Sequence, residues 1–135
     1  MEKKKYADIT FLIIGAAMKV HTALGNGFQE KIYQRALEIQ FEEDLLKFQR
    51  ECSMPIFYLG RNIGERRVDF FVDEKICVEL KALTALENVH FAQAKNYLEA
   101  FNVEVGLLIN FGGTSFEYRR IENTKYNPNL KAKTI

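Results

Sequence analysis

The sequence predicts one mixed α/β domain in which two N-terminal helices precede a central β-sheet flanked by helices. Apolar residues follow helical spacing up to Leu46, and the pattern then changes to the two-residue alternation of strands. A later helical pattern separates a central strand pair from two final strands. The length of 135 residues suffices for one core and leaves no room for a second domain.

The first helix is predicted from apolar residues at helical spacing, with Asp8 as its N-cap and a stop at Gly25-Asn26-Gly27. Lysines before this helix give it a superficial likeness to a signal peptide. Asp8 and Thr10 interrupt that pattern, and the apolar run is too short to span a membrane. We therefore expect a core helix and no membrane association.

A second helix is predicted to begin at Phe28, and it carries Glu30 in its first turn. An acid at this position complements the helix dipole, which is a common arrangement that needs no active site. His21, near the end of the first helix, is in most proteins a packed or exposed histidine and not a ligand. The roles of Glu30 and His21 remain open at this point.

The central feature is a predicted hairpin over residues 67–81, with a three-residue loop at 73–75. This register sets Val72 opposite Ile76 and Asp69 opposite Glu79, with Lys81 two residues further on the same face. The same alternation places one apolar set on the other face: Val68, Phe70, Val72, Ile76, Val78 and Leu80.

Two facing carboxylates repel each other, so something must offset that repulsion. One interpretation is a solvated face on which Arg67 and Lys81 screen the acids. Phe71 and Cys77 share this face, which favours partial cover by a helix. In such a cleft a divalent metal is the natural partner, and oxygen ligands select Mg²⁺ or Mn²⁺.

The remaining elements follow from local patterns. A strand begins at Phe48 and turns near Gly60. The capping box of Thr84 and Glu87 predicts a helix from there to about Phe101. On it a polar face is formed by His90, Gln93 and Tyr97. Strands are then predicted over 103–111 and 116–121. A loosely ordered tail is predicted for 123–135, which leaves a domain of residues 1–122.

Composition limits the function classes. The net charge of +1 lacks the basic excess of non-specific nucleic-acid binders, so any such contact needs a local patch. Arg61, Arg66 and Arg67 form the best candidate, although they also suit a solvated turn. Cys52 and Cys77 are too few for a disulfide framework, and reduced thiols favour a cytoplasmic location.

The sequence resembles a known family of small prokaryotic proteins. Its second helix opens with the GxxExxY signature, Gly27-Phe28-Gln29-Glu30-Lys31-Ile32-Tyr33. The Val78-Glu79-Leu80-Lys81 segment, the Gln93 to Tyr97 helix and the Gly106 to Gly112 strand are also similar to that family. On these segments the chain is identified as a member of the GxxExxY family, within the PD-(D/E)xK nuclease superfamily. The proline of that name is absent, since Val68 precedes Asp69.

This resemblance implies a restriction-endonuclease-like core and a metal-dependent nuclease acting on nucleic acid, with DNA as the expected substrate in repair or defence. Asp69, Glu79 and the Leu80 carbonyl would bind Mg²⁺ or Mn²⁺, with Glu30 completing the shell and His21 as a further ligand. Lys81 would orient or deprotonate the attacking water. Gln93 and Tyr97 would position substrate or the lysine.

Two other functions remain open. One is a nuclease-fold module that binds nucleic acid or a partner protein without cutting, and the other is a structural or interaction protein. The presence of all four core residues favours the nuclease, because a module without catalysis has no use for two facing carboxylates. Because the domain is small, sequence-selective cutting would need a partner or a homodimer, which would set two sites against two strands.

Overall fold

The computed structural model describes residues 4–135, so the first three residues of the predicted 1–122 domain lie outside it. Within this range the chain forms three α-helices and five β-strands. The helices are α1 (Ala7–Leu24), α2 (Glu30–Glu43) and α3 (Asn88–Phe101). The strands are β1 (Phe48–Tyr58), β2 (Arg61–Val72), β3 (Ile76–Lys81), β4 (Val105–Asn110) and β5 (Glu117–Glu122).

The five strands form one mixed sheet in the order β1-β2-β3-β4-β5. Strands β3 and β4 are parallel, and α3 makes the crossover between them; the other neighbours are antiparallel. The predicted mixed sheet with two preceding helices is confirmed. So is the hairpin register, because Val72 pairs with Ile76 and Phe70 with Val78.

The sheet separates two apolar cores. Helices α1 and α2 cover one face, where Ile13, Tyr33 and Leu37 pack against side chains from β2, β3 and β4. Helix α3 covers the other face through Leu98 and Phe101. Burial on both faces explains why β4 carries six buried residues in succession.

The prediction that Val68, Phe70 and Val72 share one face of the sheet is wrong, because β2 changes face at Asp69. Phe70 and Val72 lie in the core under α1 and α2, whereas Val68 lies with Phe71 in the core under α3. The pairing of β1 with β2 omits Asp69 and the residue opposite it, Glu51, and continues beyond them in the same register. Glu51 has a left-handed backbone (φ 53°), which breaks the pleat on the partner strand.

The same break affects the hairpin of β2 and β3. Their regular pairing ends at Phe70 and Val78, so Asp69 and Glu79 do not form the predicted backbone rung. It also turns Arg66, and not Arg67, toward the carboxylates, since Arg66 Nη2 lies 3.2 Å from Glu79 Oε2. Arg67 is exposed.

Helix starts differ from their predicted positions. Tyr6 is the N-cap of α1, and Asp8 lies in the first turn, so Asp8 is not the cap. Helix α2 begins at Glu30 and not at Phe28. By length and composition alone α1 could cross a membrane. Its Ile13, Ala16, Ala17 and Val20 side chains nevertheless lie in the core, as the sequence predicts for a core helix.

Helix α3 begins one turn later than predicted. Its capping box is formed by Glu87 and His90, whose Nδ1 accepts a hydrogen bond from the Glu87 backbone N–H at 2.9 Å. The preceding loop is fixed from β4 and β5 instead. The Asn110 amide bonds both backbone groups of Leu83 at 2.9 Å, and the Glu117 carboxylate accepts from the Leu86 N–H at 3.0 Å. These side chains thus pair with backbone N–H and C=O groups that would otherwise form hydrogen bonds within a helix.

The segment after β5 is held by hydrogen bonds to the domain. Asn102 donates to the carbonyls of Asn127 and Leu130 and accepts from the Asn127 N–H, all at 2.9 Å. The Ile135 N–H donates to the Ser53 carbonyl on the outer strand β1 at 2.9 Å. The loose order of residues 123–135 and the domain boundary at residue 122 stay predictions.

Candidate functional site

The site centres on Asp69, which lies where β2 changes face. Its Oδ2 accepts a hydrogen bond from the Leu80 backbone N–H at 2.8 Å, and its Oδ1 accepts one from Gln34 Nε2 at 2.9 Å. The carboxylate is thus fixed to β3 on one side and to α2 on the other. Two directed hydrogen bonds therefore hold the side chain in this orientation.

Glu79 is the most perturbed acid of the site. Burial, followed by the repulsion of Asp69, raises its pKa from 4.5 to about 7, although Arg66 opposes the shift. One carboxylate oxygen, Oε2, contacts Arg66 Nη2. The other, Oε1, is buried and has no hydrogen-bond partner among residues 4–135. A buried acceptor without a partner is costly, so this oxygen suits either a proton, as the raised pKa of Glu79 indicates, or a cation.

Arg66 supplies the cation nearest to this pair. Its guanidinium lies over the Tyr97 ring, 4.8 Å from the ring centroid, which fixes it against α3. The contact with Glu79 joins a single nitrogen to a single oxygen. The Arg66 Nε–H group is itself buried, with no partner in the described part of the chain.

The predicted polar face of α3 meets the end of β3. Lys81, His90, Gln93 and Tyr97 line one small cavity together with Glu79 and Arg66. Four sequence-predicted site residues therefore share one surface, namely Glu79, Lys81, Gln93 and Tyr97. Their roles remain predictions.

Glu30 lies at the rim of this group, at the start of α2. Partial burial raises its pKa, Lys81 and Arg66 lower it, and Asp69 raises it, so these three charges lie close enough to act on Glu30. Its position depends on Tyr33, one turn later. The Tyr33 hydroxyl donates to the Gly25 carbonyl at 2.6 Å and accepts from the Phe28 N–H at 3.2 Å.

The Tyr33 ring is fully buried and stacks on Phe111, with ring centroids 4.6 Å apart. It thereby anchors the loop between α1 and α2 to the end of β4. Gly25 lies in that loop with φ 75°, a conformation that favours glycine. The tyrosine of the GxxExxY pattern is therefore structural, and it places the glutamate at the site.

The contacts of His21 are those of a structural residue, whereas the sequence predicts a metal ligand. Its Nε2 is 3.1 Å from the Gly113 carbonyl oxygen, and its ring packs against Phe111 and Phe116. One ring nitrogen is thus engaged by the backbone turn after β4. The structure does not gather His21 with the two carboxylates.

A sequence model of the PD-(D/E)XK nuclease superfamily matches residues 7–121. The chain belongs to this superfamily. A solved structure titled "Crystal structure of SSO0001" is similar at a TM-score of 0.54 and 16% identity, over 90% of this chain and 70% of that one. At this identity the likeness concerns the fold alone. The chain matches no curated protein.

Members of this superfamily generally use divalent metal ions, so the fit of the site to an ion matters. Within residues 4–135, no three His, Cys, Asp or Glu side chains are gathered as a metal site. The predicted set of Asp69, Glu79, Glu30 and His21 is therefore not assembled. Asp69 and Glu79 nevertheless offer hard oxygen donors, and the Glu79 Oε1 atom lacks a partner. This pair fits a hard divalent cation.

Charge balance supports the same fit. When ionised, Asp69, Glu79 and Glu30 contribute three negative charges, and Arg66 and Lys81 contribute two positive ones, a net of −1. A phosphate would be repelled by this sum. A divalent cation changes it to +1, which attracts phosphate.

Two residues of the site were not assigned to it from the sequence: Gln34 was not named, and Arg66 was named only in the basic patch with Arg61 and Arg67. Gln34 follows Glu30 by four positions on α2, so helical spacing places both on one side, and this signal was available. Arg66 had no such signal, because strand alternation assigned the inward position to Arg67. Only the change of face at Asp69 reverses the two arginines.

Proposed function

We propose that this PD-(D/E)XK superfamily member is a Mg²⁺- or Mn²⁺-dependent nuclease that hydrolyses phosphodiester bonds, with DNA as substrate. The observation that carries the proposal is the Asp69 and Glu79 pair beside Lys81. Glu79 is buried with a free acceptor oxygen, and burial disfavours its ionised form even beside Arg66. A cytoplasmic location and placement in the GxxExxY family belong to the same proposal.

In this mechanism Asp69 and Glu79 would hold the ion, with the Leu80 carbonyl as a third donor. A bound divalent ion would supply charge neutralisation and acidify a water molecule. Asp69 is already oriented by Gln34 and the Leu80 N–H. Lys81 would hold the attacking water or accept its proton, while Gln93 and Tyr97 on α3 would position the substrate. Glu30 would orient groups at the rim.

One observation favours a second candidate, a nuclease-fold module that binds nucleic acid or a partner protein without cutting. The ion pair between Arg66 and Glu79 gives the carboxylate an internal cation. If this pair never opened, Glu79 could offer a metal ion only its Oε1 atom. Dimer formation is a feature of either candidate and rests on the small size of the domain.

A cleavage assay tests the nuclease directly. Single-stranded, duplex, flap and junction DNA, and RNA, are incubated with Mg²⁺ or Mn²⁺ and with EDTA. Glu79→Gln and Lys81→Ala are the inactive variants. Glu38→Gln is the matched control, since Glu38 on α2 pairs with Arg50 on β1, outside the site. We expect metal-dependent cutting by wild type and Glu38→Gln, and none by the other two.

The other outcomes separate the candidates. Equal inertness of all four proteins, with wild type still stabilised by the metal in thermal unfolding, would favour the non-cutting module. Cutting that survives in Glu79→Gln and Lys81→Ala would point to a contaminating enzyme. Inertness without stabilisation by metal would refute the metal site itself.

A further inference from the structure

The contact between Arg66 and Glu79 differs from a structural ion pair. Arginine and carboxylate commonly pair through two parallel hydrogen bonds. Here one nitrogen meets one oxygen at 3.2 Å, and the second potential donor and acceptor, Arg66 Nε–H and Glu79 Oε1, are both buried without a partner among the described residues. Each partner therefore keeps one position open for another group.

The two open positions have opposite chemistry. Glu79 Oε1 is an acceptor that suits a cation, and Arg66 Nε–H is a donor that suits an anion such as a phosphate oxygen. The guanidinium is fixed over the Tyr97 ring, on the helix that borders the cavity of Lys81 and Gln93. A small movement would keep this ring contact and change only the partner of the nitrogens.

We infer that Arg66 is the internal counter-ion of Glu79 in the metal-free protein and becomes a phosphate-binding residue when a divalent ion replaces it. The inference rests on the proposed function, because it assumes that Asp69 and Glu79 bind a metal. It assigns Arg66 two successive anionic partners, the Glu79 carboxylate and then the nucleic-acid backbone. Arg67, although adjacent, is exposed and has neither role.

Metal affinity gives the first test. Isothermal titration calorimetry at pH 8.5 measures the Mn²⁺ affinity of wild type, Arg66→Gln and the control Arg67→Gln. The control loses the same charge one residue away. Removal of a competing cation should tighten binding to Arg66→Gln on the order of tenfold. The control should change by less than about twofold, because exposed charges are screened. Damage to the structure would weaken binding and not strengthen it.

Nucleic-acid affinity gives the second test. Fluorescence anisotropy with a labelled oligonucleotide uses the Lys81→Ala background, which prevents cutting, with Mn²⁺ or with EDTA. In Mn²⁺, Arg66→Gln should weaken binding and lower the salt slope by about one, as expected for one lost phosphate contact. In EDTA it should change nothing. Any effect of Arg67→Gln should be equal in both conditions.

The outcomes are distinguishable. Wild type without Mn²⁺ binding would refute both this inference and the proposed metal site. Mn²⁺ binding by wild type, with Arg66→Gln no tighter, would refute only the role of Arg66, as would an equal loss of oligonucleotide affinity in EDTA. If Arg66→Gln does not fold, Arg66→Lys replaces it. The lysine keeps the positive charge but lacks the Nε donor of arginine. We therefore expect this variant to bind Mn²⁺ with wild-type affinity and to bind the oligonucleotide more weakly. Unchanged oligonucleotide affinity would contradict the inference.

Discussion

The buried carboxyl of Glu79 should destabilise the metal-free protein at neutral and alkaline pH. Its pKa of about 7, in place of 4.5, means that the ionised form is disfavoured in the folded state. Between these two values the folded protein keeps a proton that the unfolded chain has released. The contribution of Glu79 to the free energy of unfolding therefore falls as pH rises from about 4.5 to 7, and this contribution is constant above that range.

The magnitude follows from the shift. At about 1.4 kcal/mol per pKa unit, the ionised form costs about 3 kcal/mol. Glu79→Gln resembles the protonated acid and removes this cost, although it leaves Arg66 without its partner. We expect the variant to be more stable than wild type by about 1 to 3 kcal/mol at pH 8 in EDTA. The two proteins should have nearly equal stability at pH 4.5.

Urea unfolding followed by circular dichroism at pH 4.5 and pH 8 measures this difference. Glu38→Gln is again the control. It removes a partly exposed ion pair with Arg50 and should lose at most about 1 kcal/mol at either pH. A Glu79→Gln protein that is less stable than wild type at pH 8, or a difference that does not grow between the two pH values, would refute the reasoning.

Three further predictions concern the surroundings of the site. Gly112→Ala should lower the free energy of unfolding by about 2 kcal/mol or more in urea, since an added Cβ would lie 2.4 Å from backbone atoms of Leu83; an unchanged midpoint would contradict this. Tyr33→Phe should cost about 1 to 2 kcal/mol in the same assay, because its hydroxyl bridges two backbone groups of the α1–α2 loop. Truncation after Glu122 should lower the melting temperature by several degrees, by about 4 °C for each kcal/mol lost, whereas a loosely ordered tail would leave it unchanged.

The order of elements and the register of the central hairpin could be predicted because they depend on local patterns. Val72 and Ile76 flank a short charged loop, and this fixes how the two strands align. The buried face of α1 follows equally from helical spacing. Tertiary contacts decided the points that failed. The Thr84 capping box is a valid local signal, but Asn110 and Glu117 satisfy the backbone of the following residues from other strands.

The site was predictable only in part for a related reason. Asp69, Glu79 and Lys81 follow from strand spacing and resemblance, and α3 does bring Gln93 and Tyr97 to the same cavity. The change of face has no pattern in one sequence, because β1 and β2 break together and then resume their register. That paired break decides which arginine contacts Glu79.

Because β2 changes face at Asp69, the charged residues of the site are held by different helices. Asp69 is tied to α2 through Gln34, whereas Arg66 rests on α3 through Tyr97. These two residues of β2 are thus held by helices that pack on opposite sides of the sheet. A displacement of α3 would therefore act first on Arg66, whereas a displacement of α2 would act first on Asp69.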